Sequence, residues 1–183
     1  MSMKSWARAA VVGAGLMMAA VAPALAADDP QNTLYMDVEG GRIIIKLRPD
    51  LAPKHVAQMK KLVSRHFFDG QVFHRVIPDF MAQTGDPTGT GTGGSYEPNL
   101  PAEFTPTPYK RGTIGMARTE DPNSANSQFF ICFNDTGCAP LRGKYTVWAE
   151  VVKGMELVDG MAVGEPPEKP SKILKVQLAA DAK

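Results

Sequence analysis

Residues 72–94, VFHRVIPDFMAQTGDPTGTGTGG, restrict the possible folds more than any other stretch of the chain. VFHRVI has the β-branched and aromatic content of a strand that must end or bend at Pro78, and FMAQT makes a second short strand. Residues 85–94 then prescribe a glycine-rich loop. A phosphate cradle is the obvious function for such a loop, but GDPTGTGTGG lacks the Gly-Lys-Ser/Thr ending and opens no helical pattern. Glycine serves here as a residue that permits unusual φ and close approach of the backbone.

Residues 112–133, GTIGMARTEDPNSANSQFFICF, supply a complement: a strand, a polar turn and a further strand. Together the two stretches hold no nucleophile paired with a base and no metal-ligand spacing. They concentrate groups able to grip a peptide, and the chemistry they imply breaks no covalent bond. Arg75 interrupts an apolar strand where alternation did not require a charge, and its planar fork of donors is always cationic. From its flanks alone it is equally an arginine closing a surface ion pair. Phe80, Met81, Phe130 and Leu141 are large apolar residues that in isolation read as core. Gln83 and Gln128 lie two residues from Met81 and Phe130, so strand alternation puts each glutamine on the same face as its apolar neighbour.

The remaining chain fits a β-rich single domain. Residues 33–47 read as two strands, TLYMDV and RIIIKL, joined by a tight turn at Glu39-Gly40-Gly41. Residues 49–67 change to helical spacing through Val56, Met59, Val63 and Phe67, with Asp50 as a cap and Pro53 in the first turn. Residues 95–110 carry four prolines and read as an extended connection, TGCAPLRGK as a loop, YTVWAEVV as a strand, residues 154–161 as a short helix and PSKILKVQL as the last strand. Two helices and about eight strands, mostly joined by turns, predict a mainly β domain whose sheet closes on itself. His55 and His66, at the two ends of the first helix, read as solvated or partly packed, and His74 as structural. With no compact spacing among the three, no metal site and no cofactor is expected.

The first 26 residues differ in kind. Lys4 and Arg8 precede an alanine-rich apolar run and an Ala24-Leu25-Ala26 cleavage site, the pattern of a secretory signal peptide. The run is shorter than the roughly 20 residues that span a bilayer. The expected organisation is therefore a signal peptide at 1–26 and one domain at 27–183, exported, and periplasmic if the organism is Gram-negative, with no membrane span after processing. Cleavage there leaves 18 basic residues against 19 acidic ones, so neither nucleic acid nor an anionic membrane is an expected partner. Export would permit Cys132 and Cys138 to oxidise, and the residues between them do not forbid a bridge. Cys132, however, sits in the apolar run FFICF, where a buried thiol behaves as a small hydrophobe, so two free thiols are expected.

FHRVIPDFMAQTGDPTGTGTGG and NSANSQFFIC resemble the hallmark segments of the cyclophilins, the peptidyl-prolyl cis-trans isomerases, and the resemblance runs from about Leu34 to about Leu178. It implies a closed eight-stranded antiparallel β-barrel capped by a helix at each end. It also implies activity on X-Pro bonds of peptides and unfolded exported proteins, by a monomer without cofactor. HRVI matches the segment carrying the family's catalytic arginine, which assigns that role to Arg75. Phe80, Met81, Phe130 and Leu141 match its proline pocket, Gln83 and Gln128 the residues holding the substrate backbone, and Ala117 and Arg118 the positions that pair with the residue before proline. Three positions depart from the pattern: Arg118 replaces the usual asparagine, Pro140 a tryptophan of many eukaryotic members, and Tyr145 a histidine. Tyrosine keeps a ring and a hydroxyl, so Tyr145 remains a pocket residue. Loss of the indole donor implies weak binding of cyclosporin.

Overall fold

The computed structural model describes residues 29–182, and the expected signal peptide at 1–26 lies outside the described residues. Eight strands follow in chain order: β1 (Thr33–Val38), β2 (Gly41–Leu47), β3 (Arg75–Ile77), β4 (Met81–Thr84), β5 (Thr113–Met116), β6 (Phe129–Cys132), β7 (Val147–Lys153) and β8 (Ile173–Leu178). They form one sheet in the order β3-β4-β6-β5-β7-β2-β1-β8, antiparallel throughout. The first hairpin follows from its sequence. Alternation in TLYMDV and RIIIKL sets Leu34 opposite Ile45 and Met36 opposite Ile43, all buried. Gly40 takes φ +92° in the turn between them, a value open to glycine at no steric cost.

The two faces of the sheet have different fates. On the inner face, register aligns Val76, Ala82, Ile131, Ile114 and Ala149 across five strands, and all belong to the main core. Helix α1 (Pro53–Ser64) closes that side against β7 and β8 by burying Val56, Met59, Leu62 and Val63. Phe129 stands edge-on to Phe68 at 5.7 Å and to Trp148 at 5.5 Å in the middle of the layer. Each such side chain contributes about 1.5 to 3 kcal/mol on leaving water. On the outer face the same strands align Arg75, Gln83, Phe130, Gly115 and Val147, and this row becomes the candidate site.

Several expectations are corrected. The sheet does not close: it curls into a half-barrel with β3 and β8 as its unpaired ends, laced only by isolated bridges at Val72–Lys172 and Val76–Gly164. VFHRVI is a full strand only over its last three residues, and its outer neighbour contains Pro166, Pro167 and Pro170, which have no N–H to continue a ladder. Among the described residues three α-helices stand where two were expected, because the short α2 (Asp135–Cys138) and α3 (Met155–Asp159) accompany α1. Helix α2 occupies the expected loop TGCAPLRGK, with the Asn134 side chain accepting the Gly137 N–H at 2.7 Å, and runs on into a 3₁₀ turn at Ala139–Leu141. That turn back over β6 brings Cys138 to Cys132, and the two form a disulfide with Cα atoms 6.1 Å apart; the expectation of free thiols is overturned. The apolar setting of FFICF suits a disulfide as well as a thiol. Finally, Asp50 does not cap α1 but pairs with Arg48, and His55 is fully buried.

Candidate active site

Alternation along β4 and β6 turns Met81, Gln83, Phe130 and Cys132 to the outer face, while β3 contributes Arg75 and Ile77. Met81, Phe130, Cys132, Cys138, Val147 and Tyr109 form a second, smaller apolar cluster there, and Phe80, Ala117, Leu141 and Tyr145 are half-buried around it. Six of the apolar residues singled out from sequence therefore share one recess. Met81 and Phe130 are its floor, 1 % and 4 % exposed. Tyr109 stacks on Phe130 at 5.9 Å and Tyr145 meets the same ring edge-on at 5.8 Å. Gly115 makes this stack possible: a Cβ there would lie 2.5 Å from both Phe130 Cζ and Tyr109 Oη. Burial pushes the Tyr109 phenol far above its ordinary pKa, so it stays neutral.

The polar candidates adjoin the recess. Arg75 stands opposite Gln83 in the β3–β4 register, and Gln83 opposite Phe130. Gln83 Nε2 donates to Gln128 Oε1 at 2.8 Å, and Gln128 Nε2 donates to the carbonyls of Gly91 and Gly93 at 3.0 and 2.8 Å. The glycine loop is in turn wound around the buried Asp86 carboxylate, which accepts the backbone N–H groups of Thr88, Gly91 and Gly93 and the Thr88 hydroxyl. Burial alone would raise the Asp86 pKa, but these donors outweigh it and hold it at about 2. The loop is thus a rigid wall rather than a phosphate cradle, and it bounds an open groove of about 600 Å³ beside Gln83, Ala117, Arg118 and Gln128. His74, behind the loop, is buried with neither ring nitrogen hydrogen-bonded among the described residues, and burial lowers its pKa, which keeps it neutral next to Arg75.

Arg118 is spent on the protein itself. Its Nε and Nη2 donate to the Lys144 carbonyl and its Nη1 to those of Thr119 and Glu120, while the guanidinium lies 4.6 Å from the Tyr145 ring centre. Two of the departures from the cyclophilin pattern, Arg118 and Tyr145, thus pack on each other. Arg75 is less occupied: only its Nε is engaged, donating to Glu165 at 2.6 Å, and both Nη groups lack a protein partner among the described residues. Sequence reasoning missed Tyr109, Val147 and Glu165. Tyr109 lies in the proline-rich connection and Glu165 in a loop 90 positions from Arg75, and neither carries a periodic signal. No group of three or more His, Cys, Asp or Glu side chains able to hold a metal is present among the described residues.

The fold and site together make a curled antiparallel half-barrel that carries a cation, paired amides and an apolar recess on one outer face. Known proteins share the fold. The family described as cyclophilin type peptidyl-prolyl cis-trans isomerase/CLD matches residues 33–178. A probable peptidyl-prolyl cis-trans isomerase of Brucella suis is 49 % identical over 191 residues, covering 96 % of each chain. Among solved structures, a cyclophilin from Hirschia baltica aligns with a TM-score of 0.77 and 27 % identity over 85 % of this chain and 76 % of its own. A Cryptosporidium parvum cyclophilin-type isomerase, crystallised in the presence of the dipeptide Ala-Pro, aligns with a TM-score of 0.73 and 25 % identity over 80 % and 98 %. The chain belongs to the cyclophilin-type peptidyl-prolyl cis-trans isomerases.

Proposed function

We propose that this protein catalyses rotation about X-Pro bonds at the outer face of β3, β4 and β6, with Arg75 as the catalytic residue, and that it assists the folding of exported proteins. The observation that carries the reading is the register row Arg75–Gln83–Phe130, which puts a cation with free Nη donors, an amide and an aromatic floor side by side. The structure of the Cryptosporidium relative in the presence of Ala-Pro supports proline peptides as the substrate class.

Rotation is slow because amide resonance gives the C–N bond a barrier of about 18 to 20 kcal/mol. A millionfold acceleration requires about 8 kcal/mol less. No acid, base or nucleophile is needed, since the twisted state differs from the planar one mainly by localising a lone pair on the prolyl nitrogen. An Arg75 Nη donor aimed at that nitrogen stabilises the twisted state selectively. The prolyl ring rests on Met81 and Phe130 within the rim of Phe80, Leu141 and Tyr145. Gln83, whose carbonyl has no protein partner among the described residues, holds the substrate backbone with Gln128, and Ala117 and Arg118 flank the residue before proline.

The leader at 1–26 supports export, to the periplasm in a Gram-negative cell, and the protein acts as a monomer on unfolded chains. Pro140 in place of the indole leaves cyclosporin with one donor fewer, so inhibition is weak. The test is a protease-coupled assay on an Ala-Pro peptide. Turnover well above the uncatalysed rate supports an enzyme, whereas peptide binding without acceleration would reduce the protein to a binding module.

A further inference from the structure

Among the described residues the Arg75 guanidinium has one partner, and it is not a residue of the recess. Its Nε donates to Glu165 Oε2 at 2.6 Å, with the two side chains 38 % and 54 % exposed. The contact is built into the backbone. Val76 and Gly164, the next residue along on one strand and the preceding one on the other, exchange backbone hydrogen bonds at 2.8 and 3.0 Å, so Glu165 is delivered beside Arg75 by an antiparallel bridge. Gly164 itself is at φ +151°, where a Cβ would fall 2.5 Å from Pro167 Cα, and Pro166 and Pro167 fix the chain immediately after Glu165. The carboxylate is therefore presented from a stiff segment.

We infer that Glu165 is the positioning residue of the catalytic guanidinium, an inference that rests on Arg75 being the catalytic residue. An arginine on a three-residue strand, half in solvent, samples many rotamers. Tying Nε fixes the plane of the fork and leaves the Nη edge, without protein partners among the described residues, as the one that meets substrate. The opposing effect is partial neutralisation of the cation. At this exposure the pairing is strongly screened by water, so orientation outweighs the loss of field. The pair also sits at the open seam between β3 and the 164–170 segment, with both side chains partly in solvent, so its loss should leave the fold intact.

The test compares Glu165→Ala, Glu165→Gln, Arg75→Ala and the double variant carrying both alanine substitutions, by steady-state isomerisation of an Ala-Pro peptide and by thermal unfolding. Expected are a fall of about tenfold in kcat for Glu165→Ala with KM nearly unchanged and an unchanged Tm. Glu165→Gln, whose amide oxygen still accepts the Nε–H, should stay within about twofold of wild type. In the Arg75→Ala background Glu165→Ala should cause no further loss. Unchanged kcat in Glu165→Ala, a loss equally large in the Arg75→Ala background, or failure of Gln to rescue would overturn the role of Glu165 while leaving Arg75 catalytic. Full turnover by Arg75→Ala would instead overturn the reading of the site, and this inference with it.

Discussion

Glu103 Oε2 accepts the backbone N–H of His55 at 3.0 Å and lies 2.6 Å from the His55 ring Nδ1, while its other oxygen accepts the Lys54 N–H at 3.1 Å. A carboxylate 48 positions away in sequence thus caps helix α1, whose own N-cap, Ala52, has no side chain to do so. The same contact pins the proline-rich connection that carries Tyr109 into the recess.

This pair sets a pH dependence. Burial is the larger influence on His55 and lowers its pKa below the ordinary 6.5, against the pull of Glu103, and burial lowers that of His74 as well. A base with a lowered folded-state pKa binds fewer protons when folded than when unfolded. Its contribution is present in full above about pH 6.5 and is lost as the pH falls through the folded-state value. Asp86, held at about 2 against its ordinary 3.8, adds a second loss, of roughly 2 kcal/mol, as pH falls from about 4 towards 2. Urea midpoints should decline between about pH 7.5 and 5.5 and again below about 4; a flat midpoint over the first interval would contradict the buried neutral histidines.

The disulfide gives a prediction of a different kind. It ties the end of β6, under Met81 and Phe130, to α2, which leads directly to Leu141. Non-reducing mass spectrometry of the protein produced under oxidising conditions should find two hydrogens fewer than in the reduced form. Closing so short a loop stabilises by about 2 kcal/mol in the chain-entropy view, so a reductant should lower Tm by several degrees. Reduced thiols in protein taken from its native compartment would contradict the bond.

Gly115→Ala should damage the recess from beneath. The added methyl collides with Phe130 and Tyr109, and overpacking of this sort costs about 1 to 3 kcal/mol. Displacing Phe130 should also raise KM for an Ala-Pro peptide more than it lowers kcat, because the floor holds the ring in both ground and twisted states. Unchanged KM would separate Phe130 from proline binding.

What the sequence disclosed follows the range of the interactions involved. The β1–β2 hairpin and the shared face of Met81 with Gln83 were legible because alternation and turn glycines are local. The recess was legible from the resemblance, since neither Phe80 nor Leu141 differs in isolation from a core residue. Helix α2, four residues long, leaves no periodic trace, so neither it nor the Cys132–Cys138 bond that depends on it could be read. The open edge of the sheet turns on where the 164–170 prolines come to lie, and the caps and clamps by Glu103 and Glu165 arise only once distant segments meet.

A catalytic Arg75 accelerates rotation after the peptide has bound, so binding and rotation must respond differently to its removal. Exchange spectroscopy by NMR on an Ala-Pro peptide at concentrations that saturate the protein measures the two separately. Wild-type protein should bring cis and trans signals into rapid exchange, and Arg75→Ala should bind the peptide with similar affinity yet slow that exchange by roughly a hundredfold. Exchange by Arg75→Ala at the wild-type rate would contradict a catalytic role for this guanidinium.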